Sequence, residues 1–270
     1  LNTSASIQQH AEWLDRHQPD VLFIAPSNLA ALLALAEAEK LNLPRLKRIQ
    51  TFGETLSVET RRAARAVWGV DVYDFYSAQE TGYIALQCPD TTAYHVPAEC
   101  ILVEVLDDNG TPCAPGETGR VVVTPLFGFA MPLIRYDIGD YAEVGRPCRC
   151  GRGLPALARV LGRQRNIMVL PDGSQHWPSF GTRRFTEIAP ILQHQFVQTA
   201  PSGLEVKLVT ARPLSDAEER AFRRHVVSRL PYPFDLKVSY VDDIPRSESG
   251  KFEDFVSLVR QEDFRATTTT

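Results

Sequence analysis

The amino-acid sequence predicts an α/β protein built from a parallel doubly wound subdomain, a β-rich subdomain and a small C-terminal α/β lid domain. Apolar strand-like runs alternate with helical segments over residues 1–95, which is typical of a parallel sheet. Runs that alternate around turn residues over 96–162 favour antiparallel strands. A third pattern, of strands around an amphipathic helix, occupies 163–270. We therefore expect 1–162 to form one large domain and 163–270 the lid.

The parallel subdomain is expected to contain three strands with helices between them. VLFIA (21–25), RIQTF (48–52) and VDVYDF (70–75) are short apolar runs consistent with buried strands. Ser27 and Ser57 precede the intervening helices, and serine is a favoured N-cap residue. This pattern predicts a strand–helix–strand–helix–strand order.

The later segments are expected to supply antiparallel strands and one well-capped helix. Ser215 and Glu218 form a capping-box pattern ahead of an amphipathic segment. The expected strands are ILVEVLDDNG (101–110), GRVVVTPL (119–126), RYDIGDYAEV (135–144), VKLVT (206–210) and LKVSYV (236–241).

Composition narrows the function classes. The 270 residues carry a formal net charge of −4, which gives no electrostatic case for nucleic-acid binding. No apolar run approaches the roughly 20 residues that a membrane span needs. Five cysteines are too few for a disulfide scaffold, so we expect a reducing, cytoplasmic setting in which clustered cysteines hold metal more often than they form bridges.

Four polar, glycine-bearing segments stand where a core would require apolar residues. They are TFGETLS (51–57), FYSAQETG (75–82), PLIRYDIGD (132–140) with GRQRN (162–166), and PRSESGKFEDF (245–255). The first two follow predicted parallel strands, and ligands of open α/β sheets bind beyond the carboxyl ends of such strands.

The side chains of the second segment suit a nucleotide. Tyr76 offers a flat ring for a base, Ser77 and Thr81 offer hydroxyls for phosphate oxygens, and Glu80 offers a carboxylate for Mg²⁺. The alternative is a polar loop that caps a helix. Both interpretations stay open on this segment alone.

Two further residues can likewise be interpreted either as nucleotide ligands or as ordinary surface residues. Asp140 follows a glycine and can accept hydrogen bonds from ribose hydroxyls, or it can be an ordinary turn aspartate. Lys251 lies on a Gly/Ser-rich loop that can bring an ammonium group to phosphate or carboxylate oxygens, or it can be an exposed lysine. The spacing of a P-loop is absent.

Taken in order, the four segments resemble the adenylate-forming superfamily of acyl- and aryl-CoA ligases, and in particular its phenylacetate-CoA ligase-like branch. YSAQETG resembles the family's Tyr-Gly-x-Thr/Ser-Glu loop and PLIRYDIGD its Arg-Tyr-x-x-Gly-Asp motif. GRQRN resembles the Gly-Arg hinge and PRSESGK the C-terminal lysine loop. Four motifs in the family's order make a specific pattern.

The resemblance implies a role for each matched position. Tyr76 packs on adenine, Glu80 helps to hold Mg²⁺, and Asp140 binds ribose. Lys251 stabilises charge while the adenylate forms. The remaining expected nucleotide and hinge positions are Gly53, Glu54, Ser77, Gln79, Thr81, Arg163 and the hinge residue Arg165.

The implied reaction has two halves. ATP and a carboxylic acid, expected to be aromatic, give an acyl-adenylate and pyrophosphate, and coenzyme A then displaces AMP while the lid domain rotates about the hinge. Ser77, Gln79 and Arg165 depart from the family's usual residues. The resemblance covers only the C-terminal part of such a ligase, without its phosphate loop, so the alternative is a ligase remnant acting as a binding or regulatory module. The acid, the acceptor thiol and the oligomeric state, a dimer included, stay open.

A second cluster of residues suits a structural zinc ion. Cys88 and His95 form a Cys-x₆-His pattern, and Cys148 and Cys150 follow about fifty residues later as Cys-x-Cys. Four such ligands can close a tetrahedral site. Such Cys/His positions also resemble those of the phenylacetate-CoA ligase-like branch. The alternative is a set of free thiols.

Overall fold

The computed structural model describes residues 5–178, 180, 182–245 and 252–259. The chain divides into two compact units, residues 1–163 and 164–270. In the part of the chain that is described, every helix is too short or too polar to cross a membrane.

The first unit begins with helices that alternate with parallel strands, as the sequence predicts. The elements are α1 (Ile7–His17), β1 (Val21–Ile24), α2 (Pro26–Glu39), β2 (Arg48–Phe52), α3 (Val58–Trp68) and β3 (Val72–Ala78). Strand β2 pairs in parallel with both β1 and β3. The helices bury Leu29, Leu32 and Ala64 against Ile49 and Val72 of the strands.

Of the two helix caps predicted in the first unit, one is confirmed and the other is wrong. Ser57 accepts a hydrogen bond from the N–H of Thr60 at 3.0 Å and begins α3. Helix α2 instead begins with Ala25 as its N-cap and Pro26 in the first turn, so Ser27 lies inside the helix. Proline suits that position because its missing N–H would have had no partner there. The backbone N–H and the hydroxyl of Ser27 donate hydrogen bonds to the carboxylate of Glu54.

Antiparallel strands extend the same sheet. They are β4 (Gly82–Gln87), β5 (Tyr94–His95), β6 (Ile101–Leu106), β7 (Thr118–Pro125), β8 (Tyr136–Val144) and β9 (Ala156–Arg163). The order of the nine strands is β1-β2-β3-β4-β5-β9-β8-β7-β6. The α/β fold class is therefore confirmed, with one difference in organisation: the parallel and β-rich parts share one continuous sheet.

The antiparallel part of this sheet curls strongly. Tyr76 on β3 and Asp140 on β8 are four strands apart in the sheet order, which is about 19 Å across a flat sheet. Their side chains nevertheless meet at 2.9 Å. The curl encloses a second core that includes Ile84, Val121 and Ala142, and it brings the ends of distant strands together.

The second unit is a small α/β fold. Its elements are β10 (Met168–Val169), β11 (Gln175–His176), α4 (Phe185–Ile188), β12 (Ile191–Ala200), β13 (Gly203–Thr210), α5 (Asp216–Val227), β14 (Asp235–Tyr240) and β15 (Phe255–Ser257). Four strands form a sheet in the order β14-β13-β12-β15. The predicted capping box of Ser215 and Glu218 begins α5, whose Phe222 packs in a core with Phe196.

Candidate nucleotide site and metal centre

Three of the four polar segments meet in the first unit. The hydroxyl of Tyr76 donates a hydrogen bond to Oδ2 of Asp140 at 2.9 Å, and Nε of Arg163 lies 4.0 Å from Oδ1 of the same carboxylate. The place that a Cβ would take on Gly162 lies 3.5 Å from Oγ1 of Thr55. Residues from segments 51–57, 75–82, 132–140 and 162–163 therefore lie close together in the first unit.

The ring of Tyr76 is buried, whereas the sequence predicts a ring that offers its face to a base. Only 7% of the residue is accessible, and its ring packs in the enclosed core with Ile84 and Tyr94. Burial, with the nearby Asp140 carboxylate, raises the pKa of Tyr76 well above its usual range. The phenol is therefore a hydrogen-bond donor at all ordinary pH values, and it holds Asp140 in place.

Glu54 makes a contact that the sequence does not reveal. One carboxylate oxygen accepts the Ser27 N–H at 2.8 Å and the other accepts its hydroxyl at 3.0 Å. A carboxylate is favourable at a helix N-terminus because it meets unpaired N–H groups and the positive end of the helix dipole. Glu54 thus joins the loop after β2 to α2, and Gly53 before it has φ of 79°.

The turn between β3 and β4 carries the other predicted phosphate and magnesium residues. Gln79 and Glu80 are exposed at its tip, and Ser77 is half-buried on β3. Oγ1 of Thr81 is buried and has no hydrogen-bond partner in the described part of the chain. The turn therefore carries the exposed carboxylate of Glu80, four residues after Tyr76. The next residue, Thr81, adds a buried hydroxyl without a described hydrogen-bond partner.

The predicted hinge residue Arg165 belongs to the second unit, whereas Arg163 is the last residue of the first. Lys251 lies outside the described residues. Arg165 forms an ion pair with Glu253 at 2.6 Å, and Asn166 donates to the carbonyl of Phe255 at 2.7 Å. The segment that follows Lys251 is thus tied to residues 165–166.

A buried polar network lies beside this site, and sequence reasoning missed it. Asp74 on β3 accepts hydrogen bonds from Thr51 at 2.5 Å and from the Tyr94 hydroxyl at 2.6 Å. Its backbone N–H donates to Gln87, which also accepts from Arg61. A carboxylate in the middle of the apolar run VDVYDF was the available signal, because buried charges need partners.

The Asp74 network predicts a specific dependence of stability on pH. Burial has the largest effect on the pKa of Asp74 and raises it. The hydrogen bonds to the carboxylate lower the pKa by a smaller amount. The folded carboxyl therefore keeps its proton to higher pH than the unfolded one. Its contribution to stability is complete below the unfolded pKa of about 4 and is lost as pH rises through the folded pKa.

The variant Asp74→Asn removes the titrating carboxyl group. We expect the free energy of unfolding of the wild type to fall, relative to that of the variant, as pH rises from about 4. The fall should be about 1.4 kcal/mol for each unit by which folding raises the pKa. Urea unfolding at a series of pH values measures this difference. Asp71→Asn, which changes an exposed carboxylate nearby, is the matched control. A difference that grows with pH would show that the hydrogen bonds outweigh burial.

The predicted cysteine–histidine cluster is assembled. One ligand atom from each of Cys88, His95, Cys148 and Cys150 lies within 4.8 Å of the others. Cys88 and His95 are buried at the ends of β4 and β5, whereas the other two lie in the loop between β8 and β9. Gly151 turns that loop with φ of 78°, a conformation that favours glycine.

The measured distances suit a tetrahedral zinc ion. Zn–S bonds of about 2.3 Å and Zn–N bonds of about 2.0 Å imply ligand separations of about 3.8 Å for two sulfurs and about 3.5 Å for sulfur and nitrogen. Cys148 and Cys88 are 3.9 Å apart at sulfur, and Cys150 lies 3.3 Å from Nε2 of His95. The donor set and the geometry therefore fit zinc.

Hydrogen-bond donors surround the sulfur of Cys88. The N–H of Asp90 points at Sγ of Cys88 at 3.4 Å, and Arg152 lies 3.8 Å from the same sulfur. Arg152 also pairs with Asp90 at 2.9 Å, which raises its pKa further above its usual range. These donors therefore contact one of the sulfur atoms of the cluster.

Family models match both units of the chain. Residues 2–125 match the family described as AMP-binding enzyme, and residues 178–257 match the family described as CapK C-terminal domain. Together with the curled α/β sheet, these matches support the predicted resemblance of the chain to the adenylate-forming superfamily.

Curated relatives specify the branch. A phenylacetate-coenzyme A ligase of Thermus thermophilus is 28% identical over 189 residues, which are 61% of this chain and 42% of the relative. A phenylacetate-coenzyme A ligase of Escherichia coli is 23% identical over 89% of this chain and 59% of the relative. The predicted resemblance to the phenylacetate-CoA ligase-like branch is thereby confirmed. The chain spans about half the length of these relatives.

Solved structures support the fold. A 2-hydroxyisobutyryl-CoA ligase in the postadenylation state is 22% identical, with a TM-score of 0.76 over 99% of this chain and 60% of that one. An anthranilate CoA ligase in complex with anthranoyl-AMP is 17% identical, with a TM-score of 0.69 over 91% of this chain and 50% of that one. At these identities the likeness establishes the fold alone.

Proposed function

We propose that this chain supplies the nucleotide-binding and lid parts of an enzyme that activates a carboxylic acid as an acyl-adenylate and passes the acyl group to coenzyme A. The observation that carries the proposal is the meeting of Tyr76, Asp140 and Arg163, with Thr55 beside Gly162, at one end of the sheet. These residues come from separate segments that only the curl of the sheet brings together. The relatives named above are CoA ligases.

In the first half-reaction, a carboxylate oxygen of the acid attacks the α-phosphorus of ATP and pyrophosphate leaves. Asp140, held by the Tyr76 hydroxyl, accepts hydrogen bonds from ribose. Glu80 at the exposed turn would hold Mg²⁺, which neutralises phosphate charge when bound. Lys251 places a second positive charge near the phosphate oxygens.

In the second half-reaction, the sulfur of coenzyme A attacks the acyl carbon, AMP leaves and the thiol proton is released. Residues 163–165 serve as the hinge about which the lid changes position. Aromatic acids are the proposed substrate class, because phenylacetate-CoA ligases occur among the relatives.

We also propose that Cys88, His95, Cys148 and Cys150 hold a structural zinc ion. All four positions of the tetrahedron are filled by protein ligands, which is the arrangement of structural sites, whereas catalytic zinc keeps an open position. Zinc here would join the loop after β4 to the loop between β8 and β9.

ATP–pyrophosphate exchange with a panel of aryl acids tests the catalytic proposal. We expect exchange that depends on the acid and falls about 100-fold or more in Lys251→Ala, because a charge aimed at developing negative charge is lost. Lys47→Ala changes an exposed lysine of the first unit and is the control. Exchange that is unchanged in Lys251→Ala would overturn the role of that lysine.

The departures from the family's usual residues at Ser77, Gln79 and Arg165 favour one alternative, a binding or regulatory module without turnover. Calorimetry with AMP separates the two. Binding of AMP without any exchange would support the module, and exchange would support the enzyme. Failure of both measurements would overturn nucleotide binding itself.

A further inference from the structure

The buried network of Asp74 adjoins the cysteine–histidine cluster along the chain. Gln87, which belongs to this network, directly precedes Cys88, and Tyr94, which also belongs to it, directly precedes His95. Strands β4 and β5 run antiparallel, and Gln87 lies opposite Tyr94 in their pairing. Two of the four cluster residues therefore follow the members of one cross-strand pair.

The pair and the cluster residues occupy opposite faces of this hairpin. Successive side chains of a strand alternate between its two faces, so His95 points away from the face of Tyr94. The ladder continues past the end of β4, because the N–H of Cys88 donates to the carbonyl of Ala93 at 2.8 Å. Cys88 is thus placed opposite to Gln87 in the same way. One face of the hairpin carries the metal ligands, and the other carries the pair.

Both side chains of the pair are anchored at Asp74 on the neighbouring strand β3. The hydroxyl of Tyr94 donates to Oδ2 of Asp74 at 2.6 Å, and Oε1 of Gln87 accepts the backbone N–H of Asp74 at 2.9 Å. Arg61 of α3 donates to the same oxygen of Gln87 at 2.7 Å. Asp74 and Tyr94 are buried, so losing one of these partners leaves a polar group that water does not readily reach.

The short strand β5 depends on such an anchor. It is two residues long, Tyr94–His95, and pairs with β4 and β9. The backbone bonds set the spacing between the strands. The hydrogen bond from the Tyr94 hydroxyl also restrains the rotation of β5 about its own axis, and this rotation sets the direction of the His95 ring. Groups outside the coordination sphere that orient metal ligands typically change metal affinity about 10–100-fold.

We propose that Asp74 is a positioning residue of the metal centre, which acts through Tyr94 and Gln87 on the directions of His95 and Cys88. This inference rests on the zinc site proposed above. It gives the buried carboxyl group a role beyond the stability of the core, because its contacts fix the two ligands that the hairpin supplies.

Paired variants of the two hydroxyl donors to Asp74 test the inference. Thr51 donates to the same carboxyl group at 2.5 Å but precedes no cluster residue. Tyr94→Phe and Thr51→Val each remove one of these bonds and keep the shape of the side chain, so both should lower the urea midpoint similarly. We expect Tyr94→Phe to weaken zinc binding about 10-fold or more and Thr51→Val to change it less than about threefold. Competition with a chromophoric chelator, on folded protein at one pH, measures the affinities.

Cobalt supplies a measurement that a loss of stability alone would not change. The visible absorption of Co²⁺ in a cysteine–histidine site depends on the coordination geometry. We expect shifted bands in Tyr94→Phe and wild-type bands in Thr51→Val. Gln87→Met cuts the second link between Asp74 and the hairpin, and it should behave like Tyr94→Phe. It also supplies the test if Tyr94→Phe does not fold.

The possible failures are distinguishable. Equal zinc affinity and equal cobalt spectra in Tyr94→Phe and Thr51→Val, whether both are retained or both are altered, would overturn the role of Asp74 and leave the zinc site in place. Wild-type protein that binds neither Zn²⁺ nor Co²⁺ would overturn the zinc site and this inference together.

Discussion

Cys150→Ser is expected to remove one equivalent of zinc per chain and to lower the stability of the first unit by about 3 kcal/mol or more, or roughly 10 °C in Tm. Cys150 lies 3.3 Å from Nε2 of His95, so its loss leaves three ligands and an incomplete tetrahedron. Metal analysis by mass spectrometry gives the stoichiometry, and thermal unfolding gives the shift. A chelator should lower the Tm of the wild type similarly.

Cys100→Ser is the matched control for this prediction. Cys100 is an exposed free cysteine outside the cluster, so its replacement should change neither zinc content nor Tm. Wild-type protein that contains no zinc after purification under reducing conditions, and that gains no stability from added Zn²⁺, would contradict the proposed metal centre.

Asp140→Ala is expected to weaken AMP binding about 100-fold. The variant removes the proposed ribose acceptor, and it leaves the buried hydroxyl of Tyr76 without the partner that it has at 2.9 Å. An unsatisfied buried polar group costs about 1–3 kcal/mol, so stability should fall by a similar amount. Isothermal titration calorimetry with AMP and urea unfolding measure the two effects.

Two further variants separate binding from folding. Asp140→Asn keeps an oxygen that can accept from Tyr76, so it should recover most of the stability. Asp137→Ala removes an exposed carboxylate on the same strand, which pairs with Arg120, and should leave AMP affinity unchanged. Equal affinity for AMP in Asp140→Ala and the wild type would remove Asp140 from the nucleotide site.

Much of the fold follows from local sequence patterns. Apolar runs with caps predict β2, α3 and α5 because periodicity and capping act within a few residues. The exception at Ser27 has a physical reason: its N–H and hydroxyl donate to the carboxylate of Glu54, twenty-seven residues away. No local pattern carries that information.

The site is predicted less completely for the same reason. The sequence shows a tyrosine at position 76 and an aspartate at position 140. Their contact depends on the curvature of the nine-stranded sheet, which no local pattern specifies. The cysteine–histidine cluster is predictable because cysteine and histidine are recognisable as metal ligands however far apart they lie in the sequence. Asp74 is missed because its partners Thr51 and Tyr94 are ordinary residues that only the tertiary structure brings together.

The continuous sheet also has a consequence for protein engineering. A chimera that joins this chain to a relative at residues 95 and 96 would cut through strands that are hydrogen-bonded to one another, because β5 lies between β4 and β9. Both halves of such a hybrid would need matching backbone edges. The division at residues 163 and 164 falls between two units, and each of the described hydrophobic cores lies within one unit, so exchanging the whole second unit there keeps these cores intact.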